Sequence, residues 1–386
     1  MEMRVFRLLL ALWILLFPRC GDKPVAPPDV DPGQDPSGEV TAPHIFEAGK
    51  DGYHTFRIPA LVKTRSGTLL AFCEGRRHSA SDTGDIDLVL RRSRDGGKTW
   101  SSLITVWNDG INTCGNPSPV VDPATGRIHL LMTWNYTTDG KSAGDFNTPG
   151  KTVDTRRVWY TFSDDDGQTW KDPVEITSSA KKENWGWYAT GPCHAIILQN
   201  GANKGRIVIP CDHNLIGGGG YSHVIYSDDQ GKTWQIGGEV QNGNESTVAE
   251  MADGRIIMSC RASGGYRRIA YSADGGVSFQ KASANTQLPD PTCQGSILAV
   301  MRDGQDALVH SNCSNSSTRT HMSIKGSTDG GGTWCSGQTV WEKNSAYSDM
   351  VLLNDSTLGL LYENGDKGSY ERISFEKVPL NFAFIR

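Results

Sequence analysis

The sequence predicts an all-β protein from its strand-length apolar segments, a repeated turn motif and its glycine content. Short runs of β-branched and aromatic residues recur from His44 onward, each closed by Gly, Asp or Asn, such as RIHLLMTW, RVWYTFS, HVIYS and RIIMSC. These runs have the length of strands, and no long segment with a 3.6-residue period competes with them. The 44 glycines and 11 tryptophans are typical of a fold with many tight turns and aromatic packing.

An eight-residue motif of the form S-x-D-x-G-x-T-W occurs five times. The copies are SRDGGKTW, SDDDGQTW, SDDQGKTW, the degenerate SADGGVSF and STDGGGTW, which begin at Ser93, Ser163, Ser227, Ser272 and Ser327. Each copy follows a predicted strand and suits a hairpin turn, because Ser and Asp bond nearby backbone amides while glycine supplies positive φ. The spacing fits one four-stranded blade per unit, and residues 44–386 divide into six units of roughly 57 residues. We therefore expect a six-bladed β-propeller of four-stranded antiparallel blades, in which these motifs are structural turns.

The N-terminal residues predict export. Arg4 and Arg7 precede an apolar run from Leu8 to Phe17, which has the length of a signal-peptide core and is too short for a membrane span. Residues 1–20 are predicted to be a signal peptide, residues 21–43 a proline-rich linker and residues 44–386 the propeller domain. Cys20 resembles the lipidated cysteine of bacterial lipoproteins, although Pro18-Arg19 departs from that pattern. Lipid anchoring at the cell surface and plain release, into the periplasm or the medium, both stay open.

Composition excludes several classes of partner. The net charge is −5, and no long block of lysine or arginine is present, which argues against a nucleic-acid partner. The nine cysteines contain no CxxC, and the nine histidines contain no HExxH. We therefore expect no metal and no cofactor. We also expect a monomer. Cys313 and Cys335 are a candidate disulfide from nearby strands, and most other cysteines are expected to be buried and reduced.

The repeats resemble the Asp boxes of the bacterial exo-α-sialidase (neuraminidase) family, and the resemblance extends from about Tyr53 to Glu363. The segment YHTFRIPAL is similar to the family's F/Y-R-I-P motif, which implies that Arg57 is the first of three arginines that bind the substrate carboxylate. The other two correspond to Arg261 in MSCRAS and Arg319 in NSSTRTH. Guanidinium groups suit this role because they stay charged and present paired donors to a carboxylate.

The resemblance also implies which groups act at the anomeric carbon. Tyr347, in NSAYSDM, corresponds to the family's nucleophile, and Glu245, in GNESTV, to the glutamate that takes its proton. Glu363, in LLYE, corresponds to the carboxylate that orients Arg57. A tyrosine replaces the usual second carboxylate in sialidases, and an anionic nucleophile would be repelled by the carboxylate on the reacting carbon of the sugar. Because tyrosine has a reference pKa near 10, it needs a base and a positive field.

The segment EGRRHSASDTGDIDLVLRRS supplies the implied general acid and base. Asp82 lies about 25 residues after Arg57, which is the spacing of the family's catalytic aspartate. Asp85 and Asp87 are the alternatives, although they lead into the next strand and suit a turn or strand edge. Arg76 corresponds to a family arginine near the C4 hydroxyl of the sugar.

Two further positions bear on the substrate. Asn116, in NTCGNPSPVVD, stands where some bacterial sialidases have an aspartate near the N-acetyl pocket. Gln294, in PTCQGS, is a candidate to face the glycerol side chain of the sugar.

The sequence thus predicts an exo-α-sialidase that hydrolyses terminal sialic acids of glycans, glycoproteins or glycolipids, with retention through a tyrosyl-enzyme intermediate. One alternative is a non-catalytic Asp-box propeller that binds glycans or protein. Another keeps the site but transfers the sugar or forms an anhydro product. A pure glycan-binding protein has no need for Tyr347, Glu245 and Asp82 together, which favours an enzyme.

Overall fold

The computed structural model describes residues 44–138, 141–142 and 148–386. The predicted signal peptide (1–20), the linker (21–43) and Cys20 lie outside these residues. Within the described part of the chain, no helix is long and apolar enough to cross a membrane. The regular structure of the described residues is almost entirely strand, with one four-residue α-helix and one short 3-10 helix, so the predicted all-β class is confirmed.

Every strand is short except the seventeen-residue β24. In chain order the strands are β1 His44–Glu47, β2 Thr55–Lys63, β3 Leu69–Arg76, β4 Ile86–Ser93, β5 Ile104–Trp107, β6 Thr113–Val121, β7 Ile128–Asn135, β8 Thr137–Thr138, β9 Lys141–Ser142, β10 Arg157–Ser163, β11 Val174–Glu175, β12 Trp185–Thr190, β13 Ile196–Ile197, β14 Ile207–Leu215, β15 Gly220–Ser227, β16 Gln235–Gln241, β17 Ser246–Glu250, β18 Ile256–Cys260, β19 Tyr266–Ser272, β20 Ser283–Pro289, β21 Ser296–Arg302, β22 Gln305–Cys313, β23 Thr320–Ser327, β24 Gln338–Asn354, β25 Thr357–Gly365 and β26 Arg372–Pro379. Helix α1 spans Thr177–Ala180, and a 3-10 helix spans Leu380–Phe384.

The strands form four large sheets and the small hairpin β8-β9. The first sheet runs β11-β10-β7-β6-β4-β3-β2, with β5 paired to β4. The second runs β12-β14-β15-β16, with β13 paired to β14, and the third runs β17-β18-β19-β20. The last runs β1-β26-β25-β24-β23-β22-β21, so the first strand of the described chain joins the last sheet.

Groups of four antiparallel strands are recognisable inside the two larger sheets. The register between β4 and β6 contains a single parallel pair, Ile86 with Thr113, which separates β2–β5 from β6, β7, β10 and β11. In the last sheet, the first part of β24 pairs with β23 and the second part with β25. The pairing of β24 with β25 shifts register between Ser345 and Ser348.

The hydrophobic core lies largely between adjacent sheets. All eight residues of β3 are buried, which agrees with the near-continuous apolar character of LLAFCEGR. One core cluster contains Phe56 of β2, Val89 of β4 and Phe375 of β26. The first and last sheets are therefore packed against each other.

The five repeated motifs form one turn structure. In the first copy the Ser93 hydroxyl donates to Asp95 at 2.8 Å and accepts the amide of Gly97 at 2.8 Å. The amide and hydroxyl of Thr99 both donate to the Asp95 carboxylate, at 2.9 and 2.6 Å. The same set of bonds recurs around Asp165, Asp229, Asp274 and Asp329.

The aromatic residues that end the motifs connect successive sheet units. The ring of Trp100 packs edge-on against Phe375 at 5.2 Å, and Trp234 packs against Tyr160 at 5.6 Å. Trp170 likewise packs against Phe72 at 5.7 Å. Each of these three rings therefore contacts a strand of the preceding unit.

The repeated turns lie at the opposite strand ends from the predicted site residues. In the β3–β4 pair, Ser93 stands opposite Leu69, whereas Arg76 stands opposite Ile86 at the other end. The motifs therefore act as structural turns, as the sequence predicted.

The cysteines correct one prediction. Seven of them are buried and free, namely Cys73, Cys114, Cys193, Cys211, Cys260, Cys293 and Cys313. The predicted pairing of Cys313 with Cys335 is therefore wrong. The Cys313 sulfur lies 3.3 Å from the Ser345 hydroxyl and 3.3 Å from the Ala346 carbonyl, because its side chain points under strand β24.

Two adjacent glycines allow a controlled test of the turn structure. Both have positive φ, +71° at Gly96 and +87° at Gly97. An added Cβ would lie 2.0 Å from the buried ring of Phe375 at Gly97, but 3.7 Å from the flexible Lys377 amine at Gly96. We expect Gly97→Ala to lower the free energy of unfolding by about 2–4 kcal/mol and Gly96→Ala by only about 1 kcal/mol, since only the first adds a steric clash to the cost of positive φ. Urea unfolding measures both, and equal losses would contradict this account.

Candidate active site

A cavity of about 370 Å³ receives side chains from all four sheets. Strands from successive sheets point their ends toward it, so residues far apart in sequence meet there. The lining residues are Ile58, Glu74, Arg76, Asp82, Asn116, Arg156, Trp187, Asn214, Asn244, Glu245, Arg261 and Tyr347. Most of the predicted site residues are among them.

Tyr347, Glu245 and Arg261 form a hydrogen-bonded triangle. The Tyr347 hydroxyl donates to Glu245 Oε1 at 2.6 Å, and Arg261 Nη1 donates to Glu245 Oε2 at 2.6 Å and to the Tyr347 oxygen at 2.8 Å. Burial and the Glu245 carboxylate raise the pKa of Tyr347 well above 10, against the opposing charges of Arg261 and Arg57. The phenol is therefore neutral, and its proton already points at a base.

Glu363 fixes the orientation of Arg57. Its carboxylate is fully buried and accepts Arg57 Nε at 3.0 Å and Nη2 at 3.1 Å. It also accepts the backbone amides of Ile58 at 2.8 Å and Tyr347 at 3.1 Å. Burial alone would lower the pKa of Arg57, but Glu363 outweighs it and the pKa is raised. Glu363 therefore leaves Arg57 Nη1 available to other groups, and Asp82 lies 3.5 Å from that nitrogen.

Asp82 is the most exposed of the predicted catalytic groups. Its side chain is 60% exposed, and one oxygen lies 2.8 Å from Arg76 Nη1 and 3.5 Å from Arg57 Nη1. Burial acts to raise its pKa, but the charges of Arg76 and Arg57 prevail and the pKa is lowered. Asp82 is thus ionised at neutral pH.

The alternatives Asp85 and Asp87 have partners outside the cavity. Asp87 is buried and accepts Tyr53 at 2.5 Å and Arg77 at 2.6 Å. Asp85 lies 3.4 Å from Arg77 Nε and 3.7 Å from His78 Nε2. Neither carboxylate lines the cavity. The geometry favours Asp82 of the three.

The three predicted arginines converge on Tyr347. The guanidinium carbon of Arg57 lies 4.9 Å from the Tyr347 ring centre, and that of Arg319 lies 5.7 Å from it. Arg261 contacts the hydroxyl directly. The structure therefore brings together side chains that are separated by up to 290 residues in the sequence.

Gln294 lies outside the cavity. It is buried, its amide nitrogen donates to the carbonyls of Pro192 and Ser348 at 3.0 Å each, and its oxygen accepts the Ser348 amide at 2.9 Å. The structure does not bring it to a position that faces a sugar. Its environment instead indicates that it joins neighbouring backbone segments behind the site.

Sequence reasoning missed the residues that support Arg76 and Asn116. Glu74 is buried and accepts Arg76 Nε at 2.9 Å and the Asn116 amide at 2.9 Å. Gly115 is required here, because an added Cβ would lie 2.2 Å from the Glu74 carboxylate. The two-residue spacing of Glu74 and Arg76 in EGRR, which puts both on one face of a strand, was the available signal.

Arg156 was also missed. It is buried, donates to the Asn116 side chain at 2.6 Å and to the Tyr188 carbonyl at 2.8 Å, and lies over the Trp187 ring at 4.1 Å. Burial lowers its pKa to about 10, so it is still charged at neutral pH. No motif marks Arg156 in the sequence, and only the fold brings it to Asn116.

Asp212 supports the opposite wall of the cavity. It is fully buried and accepts hydrogen bonds from Trp187 Nε1 at 2.8 Å and from the side-chain amide nitrogen of Asn244 at 3.3 Å. Burial and the nearby Glu245 raise its pKa well above 3.8, which favours the protonated form. Within the described residues, no group of three or more His, Cys, Asp or Glu is arranged to hold a metal ion.

Comparisons with known proteins identify relatives of this chain. The model of the BNR repeat-like domain matches residues 67–360. An exo-alpha-sialidase of Aspergillus fumigatus is 32% identical over 376 residues, covering 90% of this chain and 89% of that protein. A sialidase of Bacteroides fragilis is 32% identical over 359 residues, covering 87% of this chain and 64% of that protein.

A solved structure gives the same result. The Hadza microbial sialidase Hz136 superimposes with a TM-score of 0.81 at 29% identity, covering 88% of this chain and 68% of that one. Together with the matches above, this similarity extends over most of the described residues. The chain belongs to the sialidase family of glycoside hydrolases.

Proposed function

We propose that this protein is an exo-α-sialidase that releases terminal sialic acids from glycoconjugates by a retaining mechanism. The observation that carries the proposal is the triangle of Tyr347, Glu245 and Arg261 on the cavity wall, with two further arginines beside the same tyrosine. A cavity of about 370 Å³ is at the small end of ligand pockets, which fits one terminal sugar.

The charge of the cavity supports an acidic substrate. The protein as a whole carries a net charge of −5, yet arginines concentrate at this one place. Burial raises the pKa of Asp212, and Glu74, Asp82, Glu245 and Glu363 each already contact an arginine. The five arginines at the site, Arg57, Arg76, Arg156, Arg261 and Arg319, outnumber these four carboxyl groups. Arg57, Arg261 and Arg319 would bind the sialic-acid carboxylate, because guanidinium groups pair with carboxylates in a planar, two-bond geometry.

The neutral phenol suits attack on an anionic sugar. As the glycosidic bond breaks, positive charge develops at C2, and the Tyr347 oxygen bonds to that carbon while its proton passes to Glu245. Arg261 donates to both oxygens and stabilises the negative charge that moves between them. A tyrosyl-enzyme intermediate results, with inverted configuration at C2.

Asp82 is the proposed general acid and then general base. Substrate carboxylate at Arg57 would compete with Asp82 for Arg57 Nη1, which lies 3.5 Å from Asp82. Loss of that cationic contact raises the pKa of Asp82 and favours the protonated form that the leaving group needs. Asp82 then activates water, which attacks C2 from the other face and restores the original configuration.

The remaining side chains would hold the sugar ring. Arg76 is expected to contact the C4 hydroxyl, and Asn116 with Arg156 to contact the N-acyl group. Asn116 is held by Arg156, so a neutral amide and an arginine together replace the aspartate of other sialidases here.

We also propose that the strands form the six four-stranded blades of a β-propeller with the cavity at its axis. The four-strand groups, the aromatic contacts between successive units and the packing of the first sheet on the last support this arrangement. Export through residues 1–20 remains part of the proposal, and mass spectrometry of the mature N-terminus would distinguish a lipid-modified Cys20 from plain cleavage.

Product analysis tests the function and its alternatives in one experiment. We expect proton NMR of a reaction with sialyllactose to record α-sialic acid first, followed by slow conversion to the β-anomer. Initial β-anomer would contradict retention, and an anhydro sugar or transfer to added lactose would favour the alternative enzyme classes. Absence of any cleavage would favour a glycan-binding protein.

Replacing the nucleophile gives the second test. We expect Tyr347→Phe to reduce kcat on an aryl sialoside by roughly 100-fold or more, because both the nucleophile and its proton transfer are lost. Tyr362→Phe is the matched control, since Tyr362 also donates a phenolic proton to a glutamate, Glu376, but outside the cavity. Near-normal turnover by Tyr347→Phe would remove the tyrosine from its role.

Leaving-group dependence tests Asp82. We expect Asp82→Ala to slow sialyllactose cleavage by roughly 100-fold or more and to affect an activated aryl sialoside far less, because a good leaving group needs little protonation. Asp85→Ala is the matched control and should leave the ratio of the two rates unchanged. Equal losses on both substrates in Asp82→Ala would contradict its role as the acid.

A further inference from the structure

Tyr370 is a half-buried tyrosine in the loop between β25 and β26, to which the motifs assigned no role. Its ring lies 3.9 Å from the guanidinium carbon of Arg57, which is closer than the contact between Arg57 and Tyr347. Its hydroxyl accepts Arg319 Nη1 at 2.8 Å. One side chain therefore contacts two of the three convergent arginines.

The loop that carries Tyr370 is held by its own hydrogen bonds. The Glu371 carboxylate accepts the backbone amides of Asp366, Lys367 and Gly368 at 3.0, 2.9 and 3.1 Å. Asp366 in turn pairs with Arg372 at 3.0 Å. These bonds close the loop on itself, so the position of the Tyr370 ring is set from the side away from the cavity.

Arg57 and Arg319 need such a support for different reasons. Glu363 accepts Nε and Nη2 of Arg57, and these hydrogen bonds leave the two faces of the guanidinium uncovered. The Tyr370 ring covers one of these faces. Arg319 also donates to the Thr292 carbonyl, but at 3.4 Å this is a long contact. Without the Tyr370 hydroxyl, Arg319 would lose its shorter hydrogen bond and gain rotamer freedom.

We propose that Tyr370 is a positioning residue that holds Arg57 and Arg319 in the arrangement that receives the substrate carboxylate. The inference rests on the proposed function, because it concerns the binding of the acidic group of the sugar. Tyr370 touches neither the Tyr347 hydroxyl nor Glu245 in the described contacts, so it acts on binding through the arginines. Ordering these two long side chains before binding reduces the entropy that substrate binding would otherwise cost.

The test uses two variants of different severity on the full-length protein. Tyr370→Phe keeps the ring under Arg57 and removes only the acceptor of Arg319, so we expect KM on an aryl sialoside to rise about tenfold. Tyr370→Leu removes both contacts, so we expect KM to rise about 50-fold or more. In both variants kcat should stay within about threefold of the wild-type value, since the catalytic triangle is untouched.

Tyr271→Phe is the matched control. Tyr271 is also half-buried, donates its hydroxyl proton to the Gly330 carbonyl at 3.0 Å and has Arg255 near its ring at 5.7 Å, but it lies away from the cavity. We expect its KM to equal that of the wild type. A general loss of stability in Tyr370→Phe would also be detected, because it would lower the melting temperature without a selective rise in KM.

Calorimetric binding of free sialic acid separates failure of this inference from failure of the proposed function. If the wild type cleaves sialosides and both Tyr370 variants keep wild-type KM and wild-type affinity for sialic acid, the positioning role is overturned. A fall in kcat at unchanged KM overturns it as well. If the wild type binds sialic acid but does not cleave sialosides, the proposed function fails. In that case, weaker binding of sialic acid by Tyr370→Phe than by the wild type still supports the positioning role. Should Tyr370→Leu fail to fold, Tyr370→Phe decides the question.

Discussion

The buried carboxylate of Glu363 is the constraint on which the rest of the site depends. It accepts two nitrogens of Arg57 and the backbone amides of Ile58 and Tyr347, although Arg57 lies 306 residues earlier in the chain. An isolated carboxylate in such a place would cost several kcal/mol, so the four donors must all be present. Removing one partner would therefore disturb both Arg57 and strand β24, which carries Tyr347.

The same interaction explains a strained backbone in the cavity wall. Ile58 has φ of +65°, which a β-branched residue rarely adopts and which costs on the order of 1–3 kcal/mol. Its amide is held by Glu363 in this conformation, and the turn of the chain directs Arg57 inward and Ile58 into the lining. Strain at this point is offset by the fully satisfied carboxylate.

The charges around Tyr347 are arranged so that a neutral phenol lies among cations. Tyr347 keeps its proton because it is buried and next to Glu245, while Arg261 contacts both oxygens and limits the repulsion that a phenolate would meet. Asp82 lies apart on an exposed loop, and its contacts with Arg76 and Arg57 link its protonation to what occupies the arginines. The protonation of Tyr347, the proposed nucleophile, and of Asp82, the proposed acid, is thus set by different neighbours.

Local chemistry was readable from the sequence, and convergence in space was not. The strand-length runs, the five turn motifs and the residues in family motifs depend on near neighbours in the chain, so the all-β class, the turns and Tyr347, Glu245 and Arg57 could be recognised. Arg156 and Tyr370 carry no motif of their own, and their contacts arise only when separate strands and loops meet. Gln294 had the right residue type, yet packing directs its amide to backbone groups behind the site. Cys313 likewise lay near Cys335 in sequence, but the side-chain direction on β22 turns its sulfur toward Ala346. Tertiary structure decided these cases because a side chain's partners depend on which strand is its neighbour, which spacing along the chain does not specify.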